Sequence, residues 1–440
     1  MSAELFSTAL NLAAAALLLV LAFSALRMSP KAAIVVWLFV ICFIPIWIGQ
    51  TITVYFPAFA IVGLLAAASF VPTTNRFRWS VADAVVLAVA VTVLAEYALK
   101  LTTRTATFDL FVIWSGAFLL GRVVTSVLDA RWIYGAVAVF FSIAAVLALA
   151  EFVTGLNVFI TYLGNGTALF DQWRTQQPRG GILRAEGAFG HSIALGSSLA
   201  IAATLTLGSR FRPWIKTAML VVLLGGAVVT FSRTGMITAA LGVVVACLFV
   251  RNPLSRRYRI GLLILAMVSA GVVFVSIRDV FLASGNEAEG SALYRSELLQ
   301  LVGYIQPFGL AANFTVSTTS QTSIGEFGSV DNALLLFALT YGWVPTALLA
   351  LLFAGAVAAL FRGRATLAVV AVIAQLPALV TVALITQYAA VFWFAVGLAI
   401  STQVIANQTR APRQGPMSVQ HPRTADPAPP ARRVLQGTRG

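Results

Sequence analysis

The chain has 440 residues, of which 60% are hydrophobic and only 10% charged, with 29 Lys and Arg against 15 Asp and Glu. A soluble domain carries about a quarter charged residues, so this composition excludes an ordinary soluble protein. The net charge of +14 does not point to nucleic acid, because the basic residues sit in short connectors between apolar runs and in the tail, where the positive-inside rule puts them.

In chain order, apolar runs long enough to be considered as membrane spans lie near 5–26, 31–49, 57–72, 81–99, 108–121, 132–154, 189–208, 214–231, 234–250, 260–277, 331–360, 366–385 and 388–405. The fold class expected is all-α: a polytopic helical membrane protein with about 12–13 transmembrane helices. The alternating short segments of a β-barrel are missing. The third and fifth runs are short and read as spanning or re-entrant. The first run, from Leu5, has no basic n-region and no clear cleavage site, and reads as a retained helix. Cys42 and Cys247 lie inside apolar runs, and the histidines are His191 and His421. That leaves no disulfide framework and no His/Cys metal cluster.

The connectors divide by charge. Arg27, Lys31, Arg76, Arg78, Arg122, Arg131, Arg210, Arg212, Lys216, Arg251, Arg256, Arg257, Arg259, Arg362, Arg364 and the tail arginines fall on one side, expected to be cytoplasmic. Lys100, Arg104, Arg174, Arg179, Arg184, Arg233, Arg278 and Arg295 fall on the other. Asp83, Glu96 and Glu151 stand near span ends and are read as snorkelling there. Residues 214–250 as one straight helix would be about 55 Å long, against a hydrocarbon core of about 30 Å. The chain must therefore turn near Ser232-Arg233, which puts Arg233 at the outer face.

Two outer loops exceed the rest, over about 155–188 and 278–330. In the second, Ser291 is a plausible N-cap, and Leu298, Leu301, Val302 and Ile305 form an apolar stripe ended by Pro307. The Ser/Thr/Gly stretch after it is expected to be mobile. The organisation is then N-terminal transmembrane helices over 1–155, a first outer loop over 156–188, helices with the Ser-Arg turn over 189–277, and a second outer loop over 278–330. C-terminal helices over 331–406 and a disordered, basic, cytoplasmic tail over 407–440 complete it.

Arginines at the outer rim need partners. Each has a structural candidate in a carboxylate such as Glu186, Glu297 or Asp331. The alternative is a bound anion, since guanidinium forks match phosphate oxygens. Arg184, Arg233 and Arg295, each at a loop–membrane junction, favour the anion. Outside the cytoplasm a lipid-linked phosphate or diphosphate fits better than a nucleotide, and no GxxxxGK[ST] motif is present. Asp331 is either a helix cap or a carboxylate at the floor of an outer cavity that orients or deprotonates a hydroxyl. His191 is either an interfacial polar residue or a hydrogen-bonding group for a sugar or phosphate. The Glu287-Ala288-Glu289 stretch, between glycines, reads as a solvated turn rather than a metal site.

Several segments carry a resemblance. "RAEGAFGHSIALG", "LLGGAVVTFSRTGMITAALGVVV", "YRSELLQLVGYIQPFGLAANF" and "SVDNALLLFALTYGWVPTALLALLF" occur in that order over about 180–355. This region resembles the O-antigen ligase and polymerase-like superfamily of bacterial membrane glycosyltransferases. The resemblance implies a GT-C-like fold in the bacterial cytoplasmic membrane, with the active site on the extracytoplasmic side. It implies transfer of a glycan from an undecaprenyl (polyprenyl) diphosphate donor to an acceptor hydroxyl on a glycan or glycolipid. Arg233 and Arg295 would grip the diphosphate with Arg184 beside them, and Asn332 and His191 would bind substrate. Asp331 stands where ligases carry a His before the Asn, which suits a polymerase or a divergent relative. The reaction would be inverting and would call for no metal and no cofactor. The rival class is a transporter of an anionic or lipid-linked solute, which would place charge nearer the bilayer midplane.

Overall fold

Among the described residues the apolar runs are largely helical, and several helices open on a polar cap. In the computed structural model, residues 20–51, 53–70, 77–250, 255–264, 266–267, 294, 296–316, 322–324 and 327–410 are described. Ser29, Ser80, Thr103, Asp129 and Ser232 each accept a main-chain N–H at the start of a helix. The fully described helices are α1 (Pro30–Phe43), α2 (Ala58–Phe70), α3 (Val81–Ala98), α4 (Arg104–Val127), α5 (Ala130–Thr154), α6 (Val158–Tyr162) and α7 (Ala168–Trp173). They continue with α8 (Ser192–Thr206), α9 (Pro213–Val229), α10 (Arg233–Phe249), α11 (Ala333–Tyr341), α12 (Trp343–Phe361), α13 (Leu367–Leu379) and α14 (Thr386–Arg410).

Five of these, α3, α4, α5, α12 and α14, are long and apolar enough to cross a membrane, with mean hydropathies between 1.8 and 2.4. Six more, α1, α2, α8, α9, α10 and α13, are apolar but shorter. The expected span over 331–360 is two helices. Gly342, at φ 85°, separates them, and the second outer loop reaches into the break: Gly309 N–H donates to Tyr341 O and Ala311 N–H to Leu339 O. The 366–385 run stops as helix at Leu379. The fifth run is longer than expected, 24 residues, and contains a π-helical segment, Asp109–Trp114. Of the first run only residues 20–26 are described, and they are helical; most of 260–277 also lies outside the described residues.

α14 is the centre of the bundle, with 78% of its apolar window buried, whereas α3 and α12 show 22%. An apolar helix that is enclosed all round is a core helix; one with an exposed apolar surface faces lipid. α14 crosses α4 at two glycines. A Cβ on Gly121 would run into the main chain of Phe394, and one on Gly397 into the main chain of Phe118. Small residues of this kind let helices approach within backbone contact.

Among the described residues, connectors assigned to the same side meet one another. At one end Arg210 pairs with Asp129 at 3.1 Å, Lys216 Nζ donates to Leu207 O, and Arg410 Nη1 donates to Arg364 O. At the other end Leu310 N–H donates to Leu101 O, Ala185 N–H to Val229 O, and Gln387 Nε2 to Ala188 O. No connector is on the wrong end in these contacts.

Both outer loops are folded where described. The first forms α6, α7 and a short hairpin, Pro178–Arg179 with Ile182–Leu183, and buries Phe159, Leu169 and Ala188 around Trp47. In the second, Leu298, Leu301 and Ile305 are buried as expected, but Val302 is 39% exposed. The reason is the tighter 3-10 turn over Leu299–Tyr304, whose three-residue period rotates Val302 off the apolar face. The stretch expected to be mobile contains an antiparallel hairpin, Phe314–Val316 with Thr322–Ile324. α14 runs to Arg410, past the expected boundary at 406; residues 411–440 lie outside the described residues.

The snorkelling expected of three acids is not what is found. Asp83, Glu96 and Glu151 are all buried, at 5%, 2% and 6% exposure. Asp83 forms an ion pair with Arg122, and Glu151 accepts four hydrogen bonds from the first outer loop. Asp83 and Glu151, paired or saturated in this way, have no need to reach for water.

Candidate functional site

The turn between α9 and α10 occupies Thr230–Ser232. Phe231 takes a left-handed φ of 47°, which reverses the chain in three residues. Thr230 Oγ1 donates to Ala227 O and accepts from Ser232 N–H, and Ser232 Oγ caps α10 by accepting from Gly235 N–H. The last carbonyls of α9 attract cations, as the negative end of a helix does. Arg184 Nε donates to Thr230 O at 2.9 Å, and Arg179 Nη1 donates to Phe231 O at 2.9 Å. Arg184 is thereby 5% exposed. Arg233, half-buried, is the first residue of α10.

Beside this turn lies a cavity of about 770 Å³. The π-helical segment contributes Asp109, Ile113 and Trp114 to its wall. Such segments widen a helix by one residue per turn and recur at functional sites. α7 contributes Leu169, Gln172 and Trp173; the approach to α11 contributes Asp331; α11 contributes Phe337 and Tyr341; and the segment before α14 contributes Ala383 to Thr386. Asp331 is exposed on this wall. The capping role that sequence reasoning allowed it belongs to Asn332, whose Oδ1 accepts from Leu335 N–H at 3.0 Å.

One segment joins the turn to the cavity. Thr234 Oγ1 lies 3.5 Å from Thr381 Oγ1, and Ala333 N–H donates to Val382 O. Arg233 and Asp331, nearly a hundred residues apart, thus flank the same 380–386 stretch. Neither Arg184 nor Arg233 is on the cavity wall, and among the described residues that wall holds no arginine or lysine. The arginines were expected to share the cavity with Asp331; the α9 carbonyls hold Arg184 aside instead. Arg295 and the Glu287–Glu289 stretch lie outside the described residues. Among the described residues no group of three His, Cys, Asp or Glu side chains is placed to hold a metal.

His191 caps α8, its Nδ1 accepting from Ile193 N–H, and its ring meets the edge of Trp173 on the cavity wall. Burial, with Arg184 nearby, pushes its pKa down to about 4, so the ring is neutral. Burial, reinforced by the Glu151 carboxylate, pushes Glu186 up to about 8. These shifts predict a pH-dependent loop. A carboxyl raised from 4.5 to about 8 stabilises the closed loop at low pH and loses that contribution as pH rises towards 8. A histidine lowered from 6.5 to about 4 opposes closure only as pH falls below 6.5. Between pH 6.5 and 8, therefore, Glu186 acts without opposition from His191. Hydrogen exchange over residues 184–191 is expected to quicken through that interval beyond its intrinsic rate, and Glu186→Gln to remove the dependence.

Sequence reasoning missed Asp109, Gln172, Trp173 and Thr386. Asp109 did carry a signal, an acid inside an apolar run. The others are ordinary loop or span-end residues until the chain folds. Comparison with known proteins finds no matching family model, no matching curated protein and no matching solved structure.

Proposed function

We propose that the chain is a polytopic membrane glycosyltransferase of GT-C-like architecture, similar to O-antigen ligases and polymerases, that moves a glycan from a polyprenyl diphosphate to an acceptor hydroxyl at the outer face of a bacterial cytoplasmic membrane. One observation carries the reading. Arg233 sits at the N-terminus of the 17-residue helix α10, where the helix dipole repels a cation and favours an anion. An arginine that opens a helix, at a turn that Thr234 joins to the 380–386 stretch beside a large cavity, is suited to an anionic guest.

The chemistry follows. The acceptor oxygen attacks the anomeric carbon, and its proton passes to the Asp331 carboxylate. The bond from the anomeric carbon to the diphosphate oxygen breaks, and the polyprenyl diphosphate leaves with that electron pair. Arg233 and the amides opening α10 stabilise the charge it gains. A single displacement inverts the anomeric centre. His191, neutral, and Glu186 belong to the folded outer loop that closes this side of the site.

Purified protein supplied with a polyprenyl-diphosphate oligosaccharide should extend or transfer the glycan. Arg233→Ala should lower turnover by about 10²–10³-fold with the protein still monodisperse. Full activity in that variant would refute the anion role. Passage of the intact lipid-linked saccharide across a vesicle, with no transfer, would identify a transporter instead.

A further inference from the structure

The end of the bundle away from the Arg233 turn has a crevice of its own. We infer that this crevice, about 380 Å³ between α3, α12 and α14, seats one acyl chain of an anionic phospholipid whose phosphate lies against Arg364 and Arg410. The inference rests on the chain spanning a bilayer and not on the transferase reading.

Three observations carry it. The first is length. α12 lines the crevice from Leu351 to Ala359 and α14 from Val396 to Asn407. These stretches are about 12 and 16 Å of helix, close to half of a hydrocarbon core of about 30 Å. A slot of that length matches the tail of a lipid in one leaflet. Small residues leave the room: Ala82, Gly355, Ala356 and Ala399 are on the wall, and a Cβ on Gly355 would meet nothing within 4 Å. α3 and α12 are also the least enclosed of the five long spans, with 22% of each apolar window buried, so the slot lies on the lipid side.

The second is the placing of polar groups. Leu352, Phe353, Val372 and Ile400 make the slot apolar. Its polar residues are Ser80, which opens α3, and Gln403 and Asn407 in the last turns of α14. All three belong to the end expected to be cytoplasmic. Beside Ser80 stands Trp79, 71% exposed, a residue type that collects at the headgroup level of a membrane.

The third is charge. Gln403 Nε2 donates to Arg364 O and to Asn407 Oδ1, and Arg410 Nη1 donates to the same Arg364 carbonyl. Both arginines are thereby held at the mouth. Arg362 is two residues from Arg364, and Arg78 two residues from Ser80. All four are exposed, and none belongs to the three ion pairs found among the described residues. A positive mouth on an apolar slot complements an anionic headgroup on an acyl tail. The chain after α14 is a poor match: residues 411–440 hold five arginines and one aspartate, which the same charge repels.

The test uses the full-length protein in detergent, with native mass spectrometry and thermal unfolding as readouts. The probes are palmitoyl-oleoyl phosphatidylglycerol, phosphatidylcholine with the same chains, and glycerol phosphate. Phosphatidylglycerol is expected to bind saturably, about tenfold more tightly than phosphatidylcholine, and to raise the unfolding temperature. Glycerol phosphate, lacking the tail, is expected not to displace it. Gly355→Leu fills the slot and should weaken both lipids about tenfold. The double change Arg364→Gln with Arg410→Gln lies at the exposed mouth and should bring phosphatidylglycerol down to the level of phosphatidylcholine, with phosphatidylcholine unaffected. Equal binding of the two lipids by the parent, displacement by glycerol phosphate, or phosphatidylglycerol binding at parental strength in either variant would overturn the proposal.

Discussion

Asp331→Asn is expected to cut glycan transfer by about 10²–10⁴-fold while leaving the Asn332 cap of α11 in place. The separation of effects comes from the neighbouring residue. Asn332, not Asp331, caps α11, so an amide at position 331 removes a proton acceptor without loosening the helix. Asn332→Ala should do the opposite, costing about 1 kcal/mol of stability with a smaller effect on the chemical step. A turnover assay and a melting curve on both variants check this. If Asp331→Asn keeps wild-type turnover, the carboxylate takes no part in moving the proton.

The largest expected effect on stability lies at the opposite end of the molecule. Arg122 Nε meets Asp83 Oδ1 at 2.6 Å and Nη2 meets Oδ2 at 2.8 Å, with both side chains 4% exposed. The carboxylate also closes the capping box of α3 with Ser80, and the guanidinium lies 4.3 Å over the Phe77 ring. Asp83→Ala leaves an always-charged group buried without its counter-ion, at a cost of about 3–5 kcal/mol. The melting temperature in detergent should fall sharply. The double change Asp83→Leu with Arg122→Met removes both charges and should recover most of the loss, since apolar replacement of a buried pair is often neutral. A single variant as stable as the parent would show the pair to be hydrated.

What the sequence discloses and what it hides divide along physical lines. Apolar runs and charge bias are local properties, so the helices and the two-ended grouping of connectors were readable from them. The Ser232-Arg233 turn was readable because a length limit demanded it. The break at Gly342 was not, because it depends on carbonyls being taken by Gly309 and Ala311, some thirty residues earlier in the chain. The fates of Asp83 and Arg122 were hidden for the same reason: one lies at a helix start and the other inside the next span, and only packing makes them partners. The site was half readable. Arg233 and Asp331 were visible as misplaced polar groups; Trp173 and Thr386 gained meaning only when α7 and the start of α14 were brought to one wall. Arg184 was visible too, but its engagement by the end of α9 depends on where the Gly180-Gly181 hairpin packs, which is not a local property.

The rings beneath the cavity have one more consequence. Phe337 and Trp114 line its floor, and Trp114 stacks between Phe337 and Trp393 at centroid spacings of 5.9 and 5.8 Å. Trp393 lies seven residues along α14 from Thr386, about 10 Å deeper. Any hydrated hollow that reaches far into a bilayer shortens the insulating path and invites proton and ion leakage. In a chain that spans a bilayer, this three-ring stack is expected to close the apolar end of the hollow against water.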